Sequence, residues 1–203
     1  MDTSCIVLAG GKSSRLGHDK VLETVGNGSL LGQVVSRVSS ICKNIIIVTA
    51  RGRIIPHFDS LPEVKIVTDA FPGKGPMVGI YSGLAASSTF CNLAVASDMP
   101  FLNRDLLRYM LQSLGDYDML IPKVGNNLEP LHAVYTKNCL ATMEDMIKQD
   151  KLNLFELCNL VRVNYLSVEE IDRFDPEHLS FFNVNTTDDL KKARELSEGD
   201  NKR

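Results

Sequence analysis

Two periodicities of apolar residues alternate along the chain. Continuous branched runs at Ile6-Val7-Leu8, Ile45 to Val48, Val64 to Val67 and Leu93 to Ala96 predict strands covered on both faces. Between them, Leu30, Leu31, Val34, Val35 and Val38 share one helical face behind Ser29, which predicts a capped helix reaching about Cys42. Further helices are predicted from Met77 to about Ala86 and, capped by Asn103, to about Leu114. The second half is less regular. It gives strands at Met119 to Pro122, Pro130 to Tyr135 and Val161 to Leu166, and helices at Lys137 to Lys148 and Leu152 to Asn159. A last helix follows Thr186, from Asp188 to Leu196. Strand, helix, strand, strand, helix, strand, helix is the order of a three-layer α/β/α sandwich, Rossmann-like, around a mostly parallel sheet. One domain is expected over residues 1–197, followed by a charged tail over 198–203.

Composition narrows the class of protein. Apolar residues make up 44% and charged residues 23% of the 203, ordinary proportions for a globular domain. A net charge of −3 gives no broad positive footprint for nucleic acid. No apolar run approaches the roughly 20 residues that span a bilayer. Met1-Asp2-Thr3-Ser4 lacks the basic start of a signal peptide. The five cysteines are scattered without a Cys-x-x-Cys and read as small buried hydrophobes in a reducing cytoplasm, neither a disulfide framework nor a zinc site.

The stretch richest in chemistry follows the first strand. Ala9 to Lys20 holds three glycines, two serines and four basic or potentially basic side chains. Ala9, Gly10 and Gly11 leave no bulk over the backbone, so a ligand can lie against the amides. Arg15 and Lys20, with Lys12 as a third candidate, supply positive charge suited to phosphate oxygens. Neither common phosphate loop fits. Five residues separate Gly11 from Gly17 and His18 follows, which breaks the P-loop spacing, and Gly-x-Gly-x-x-Gly is not formed. The plainer possibility is a glycine-rich turn with solvated basic residues.

Asp98 sits where an apolar strand ends and Pro100 turns the chain, a position suited to holding Mg²⁺ together with phosphate oxygens, or to capping a turn. Asp69 precedes a Pro/Gly loop, where it can accept from ribose hydroxyls or a guanine edge, or serve the turn itself. Asn183 and Asn185 flank Val184, so both amides face one side of an extended segment. Two such amides suit a phosphorylated ligand or a second metal contact, unless they simply form an Asx turn. The loops after the strands should share one rim of the sheet. The four histidines form no metal constellation, His132 either touches a ligand or simply lines a strand, the strand reading being preferred, and no serine lies in a nucleophile elbow.

Leu8-Ala9-Gly10-Gly11-x-Ser13-x-Arg15-x-Gly17-x-Asp19-Lys20 resembles the opening motif of the molybdenum cofactor guanylyltransferases, within the nucleotidyltransferase superfamily. Leu16 stands where that family usually has methionine. Gly75-Pro76-Met77-Val78-Gly79-Ile80, Ser97-Asp98-Met99-Pro100, Glu129-Pro130-Leu131 and Asn183-Val184-Asn185-Thr186 resemble its later motifs, with Met77-Val78 in place of the usual Leu-Ala. The resemblance implies a fold of the nucleotide-diphospho-sugar transferase type. It also implies transfer of GMP from Mg²⁺-bound GTP to the terminal phosphate of molybdenum-loaded molybdopterin, with release of pyrophosphate. Under it, Leu8, Ala9, Gly10, Gly11, Lys20, Asp69 and Asp98 bind nucleotide and Asp98 holds the metal. Arg15 and Lys20 face the leaving group, Asn183 and Asn185 face the acceptor, and transient docking to cofactor-biosynthesis or acceptor proteins is expected. Gly11 disfavours a cytidylyltransferase, whose motif more often resembles Leu-Ala-Ala-Gly. Two rival functions are nucleotide transfer to a sugar phosphate and, in a different class, nucleotide binding by a regulator without catalysis.

Overall fold

The first apolar run becomes β1 (Thr3–Leu8), and its pleat divides the molecule, with Cys5 and Val7 packing into one layer and Ile6 into the other. A computed structural model describes residues 2–10, 22–56, 58, 64–71 and 73–200 of this chain. After β1 come a hairpin of β2 (Thr24–Val25) and β3 (Gly28–Ser29), α1 (Leu30–Ser39), β4 (Asn44–Thr49), β5 (Val64–Thr68), α2 (Pro76–Ala86) and β6 (Cys91–Ala96). The second half adds α3 (Arg104–Gln112), β7 (Met119–Val124), β8 (Asn127–Leu128), β9 (His132–Thr136), α4 (Cys139–Lys148) and α5 (Leu154–Leu157). β10 (Val163–Leu166), α6 (Val168–Asp172) and α7 (Thr187–Asp200) complete it.

The central sheet runs β10-β7-β9-β6-β1-β4-β5, with β8 paired to β7. β6, β1, β4 and β5 are parallel, while β9 runs antiparallel to both β6 and β7. From β1 the chain steps outward through β4 to β5, then crosses back to form β6 on the other side of β1. That reversal is the position where doubly wound sheets open a ligand crevice beyond their carboxyl ends. One apolar layer joins α1 and α3 to the sheet through Leu31, Val34, Val35, Leu106 and Met110. The other joins α2 and α4 through Met77, Ile80, Leu84, Met143 and Met146. This is the three-layer sandwich expected from the sequence.

A smaller third core, which the sequence pattern did not predict, gathers Val25, Leu30, Phe101, Val184, Leu190 and Ala193 around α7. It ties the β2–β3 hairpin to the segment that leads into α7. Arg194 reinforces the tie by donating to the Thr24 carbonyl at 3.0 Å. Ser29 caps α1 as expected, accepting from Gly32 N, but the helix stops at Ser39. The helix expected over 152–159 is a single turn, α5. α6 carries a full capping box between Ser167 and Glu170. α7 continues to Asp200, beyond the start of the expected tail. All five cysteines are buried free thiols, and burial pushes Cys42 and Cys139 up to about 12, so they stay protonated. Among the described residues no helix is long and apolar enough to cross a membrane.

Candidate active site

At the carboxyl end of β1 the parallel sheet opens into a cavity of about 510 Å³. Its walls bring together Leu8 and Gly10 after β1, Asp69 after β5, Ser97 and Asp98 after β6, and Asn183 and Asn185 before α7. Ladder bonds carried past the strand ends hold these loops in place. Ala9 N donates to Val48 O at 2.8 Å, Asp69 N to Thr49 O at 2.9 Å and Ser97 N to Leu8 O at 3.1 Å. Ala9 itself is buried beneath the rim. Among the described residues, the nearest atom to a Cβ built on Gly10 would be Ala50 N at 4.0 Å, so those residues leave room there. Gly11, Lys12, Arg15, His18, Lys20 and His57 lie outside the described residues.

The opposite wall is the start of α2. Gly73 and Gly75 adopt φ of +85° and +93°, a conformation that favours glycine, and Pro76 begins the helix without a side-chain cap at Gly75. The start of α2, and with it the positive end of the helix dipole, therefore lies at the cavity wall. α2 lies unusually close to β1. A Cβ at Gly79 would stand 3.0 Å from Leu8 Cδ2, and one at Gly83 2.4 Å from Ile6 Cγ2.

Asp69 serves the turn and the cavity at once. Its Oδ1 accepts from Phe71 N at 3.1 Å, while Ala70 N donates to Ser82 Oγ at 3.1 Å. Asp98 is half-buried between the buried Ser97 and Met99. Its carbonyl accepts from Val184 N at 2.9 Å, which lays the Asn183–Asn185 segment beside it. Asn183 Nδ2 donates one of its N–H groups to Phe181 O at 3.0 Å. Asn185 is exposed, beside the Thr186 cap of α7.

Two features add to what the sequence led us to expect. Arg53, in the Ala50-Arg51-Gly52-Arg53 turn after β4, donates through Nη1 to the Ala9 carbonyl and so brings a guanidinium to the foot of the glycine-rich loop. A basic, glycine-containing turn directly after a strand was the available signal. His132 is fully buried in β9, packed on the Phe181 ring at a 4.7 Å centroid distance, and is not part of the cavity wall. Burial holds its pKa down to about 3, with the Ser180 backbone pulling weakly the other way, so the ring is neutral. The strand reading of His132 is the one realised. Glu129 is half-buried, and burial raises its pKa.

Residues 5–159 match the MobA-like NTP transferase domain family. The chain belongs to that family. A "Probable molybdenum cofactor guanylyltransferase" from Pelotomaculum thermopropionicum is 36% identical to this MobA-like transferase, over 95% of this chain and 92% of the relative. Among solved structures, Molybdopterin-guanine dinucleotide biosynthesis protein A from Archaeoglobus fulgidus superposes with a TM-score of 0.82. It is 29% identical and covers 97% of this chain and 99% of its own. The 2-C-methyl-D-erythritol 4-phosphate cytidylyltransferase from Thermus thermophilus shares the fold, with a TM-score of 0.71 at 15% identity, covering 98% of this chain and all of its own.

The chemistry of this MobA-like cavity follows from its donors. Among the described residues, the charged ones lining it are Asp69 and Asp98. Among the described residues no three His, Cys, Asp or Glu side chains cluster to hold a metal by themselves. What the wall offers near the Asn183–Asn185 segment is the Asp98 carboxylate, with the two side-chain amides in the same cavity. Carboxylate and amide oxygens suit a hard divalent cation shared with substrate phosphates.

Proposed function

We propose that this chain transfers GMP from GTP to the terminal phosphate of molybdenum-loaded molybdopterin, releasing pyrophosphate. The observation that carries the reading is the hydrogen bond from Val184 to the Asp98 carbonyl. It sets the asparagines expected to face the acceptor against the aspartate expected to serve the nucleotide, within one cavity that also receives Gly10 and Asp69.

In this reading an acceptor phosphate oxygen attacks the α-phosphorus in line. The bond from that phosphorus to the bridging oxygen breaks, and pyrophosphate leaves with the electron pair. Positioning and charge neutralisation supply the acceleration, so no covalent enzyme intermediate is needed. Gly10 and the preceding backbone lie against the nucleotide. Asp69 accepts from the guanine donors or the ribose through the oxygen not used by Phe71. Arg15 and Lys20, roles that rest on the sequence motif, offset charge growing on the pyrophosphate, helped by the N-terminus of α2. Asn183 and Asn185 orient the acceptor phosphate. Asp98 is the ligand for Mg²⁺, which supplies Lewis-acid polarisation of the phosphoryl oxygens.

The test is direct. Purified protein with Mg²⁺, GTP and molybdopterin should yield one pyrophosphate for each dinucleotide formed. GTP binding without turnover in that mixture would point to a nucleotide-binding regulator and remove the enzymatic reading.

A further inference from the structure

Asn183 and Asn185 lie in a segment with no regular secondary structure, yet its backbone is held on both sides by carboxylates that do not line the cavity. Upstream, Asp175 is only 6% exposed and accepts from two consecutive backbone amides, Leu179 N at 3.1 Å and Ser180 N at 2.8 Å. Ser180 Oγ in turn accepts from Asn103 N at 2.8 Å, and Asn103 Nδ2 donates to Phe174 O at 2.8 Å. Asn103 closes the loop that begins at Asp98, so this clamp joins the two loops away from the cavity. Downstream, Asp189 Oδ2 accepts from Asn185 N at 3.0 Å and Thr186 N at 2.8 Å, while its own N–H donates to Thr186 Oγ1 at 3.1 Å.

Each carboxylate therefore takes two consecutive N–H groups, one pair upstream of Asn183 and the other at Asn185 and Thr186. Burying an ionised carboxylate is costly unless such bonds compensate it. The single 3-10 turn at Leu179–Phe181 leads into residues 182–186, which belong to no strand or helix, so these bonds fix the backbone that carries Asn183 and Asn185. Val184, fully buried in the third core and bonded to the Asp98 carbonyl, is the pivot between the two clamps.

We infer that Asp175 and Asp189 are positioning residues for the acceptor: acting through the backbone, they set the amides of Asn183 and Asn185 against Asp98. The inference rests on the proposed transferase reading. Removing either carboxylate should misplace the amides while leaving the nucleotide half, built on β1, β5 and α2, intact. Misplacement on the ångström scale can cost on the order of 10²-fold.

Asp175→Ala, Asp175→Asn and Asp189→Ala should be compared with the unaltered protein by thermal unfolding, calorimetric binding of Mg²⁺-GTP, and steady-state kinetics with each substrate varied. The expected result is a fall of about 10²-fold in kcat/KM for molybdopterin in the alanine variants. The GTP dissociation constant should not move, and Asp175→Asn, which keeps one acceptor oxygen, should recover part of the loss. Should Asp175→Ala fail to fold, Asp189→Ala and Asp175→Asn carry the same comparison. Acceptor kinetics that do not change, or GTP binding lost in proportion, would overturn the inference. If the unaltered protein forms no dinucleotide, the transferase reading falls and this inference falls with it. Normal turnover beside unmoved variants removes the inference alone.

Discussion

Single residues in this molecule are placed by competition between burial and hydrogen bonding, and two of them give sharp tests. Asp98 lines the cavity beside the Asn183–Asn185 segment. Asp98→Asn keeps its size but replaces a hard anionic ligand with a neutral amide. It should fold normally and lose roughly 10²–10³ in turnover. Turnover near that of the unaltered protein at limiting Mg²⁺ would remove Asp98 as the metal ligand. His132 tests the core instead. Its folded pKa lies near 3 because burial disfavours the charged ring, against an unfolded value of about 6.5. Between these values the unfolded chain binds the extra proton, so stability falls as pH drops below about 6.5 and is fully present above it. The loss should reach about 2 kcal/mol by pH 5. His132→Phe retains the ring against Phe181 and has nothing to titrate, so urea unfolding at pH 5 and 7 should show a smaller difference for the variant. An equal difference in both proteins would show that His132 is not the cause.

At the scale of elements, the decisive contact is α2 on β1. Gly83 brings the helix so close that an added methyl would stand 2.4 Å from Ile6 Cγ2, deep in the core on both sides. Gly83→Ala should therefore cost about 1–3 kcal/mol through overpacking. For a chain of this length that lowers Tm by roughly 2–4 °C per kcal/mol. Because the same helix carries Gly75, Pro76 and Gly79 into the cavity wall, GTP affinity should fall along with Tm. An unchanged melting curve would mean that α2 can lift without cost. The elements legible in the sequence were those with strong periodicity or caps. The branched runs at Ile6 and Ile45 became strands, and Ser29, Asn103 and Thr186 all cap helices. What escaped was short and depended on tertiary contact. The two-residue strands of the β2–β3 hairpin carry no period, and α6 is five residues long, held by its capping box. The clamps at Asp175 and Asp189 escaped for the same reason: a carboxylate accepting backbone N–H groups in a loop has no sequence spacing of its own.

For the whole molecule, strand order rather than local motif gathers the site. Gly10, Asp69, Asp98 and Asn185 are far apart in the chain and meet because β6 returns across β1, a crossing that the alternation of elements implied. The fold does not choose the base, since a cytidylyltransferase shares it at a TM-score of 0.71. Base choice must therefore come from groups in the cavity. Guanine presents N1–H and N2–H₂ donors beside an O6 acceptor, an edge that cytosine lacks. Asp69 offers a carboxylate with one oxygen already engaged by Phe71 N, and so held in orientation. Gly10 adds backbone without side-chain bulk to the same wall. A wrong base leaves such groups unpaired, at roughly 1–3 kcal/mol each, which corresponds to about 5- to 150-fold in selectivity. GTP should accordingly outcompete CTP and ATP when all are supplied at equal concentration with Mg²⁺ and molybdopterin. Asp69→Asn, which puts an N–H₂ group where guanine needs an acceptor, should narrow that preference. Product analysis by mass decides between the dinucleotides. Equal or greater yield of the cytosine product would remove the guanylyl assignment and leave the nucleotidyl-transfer geometry standing.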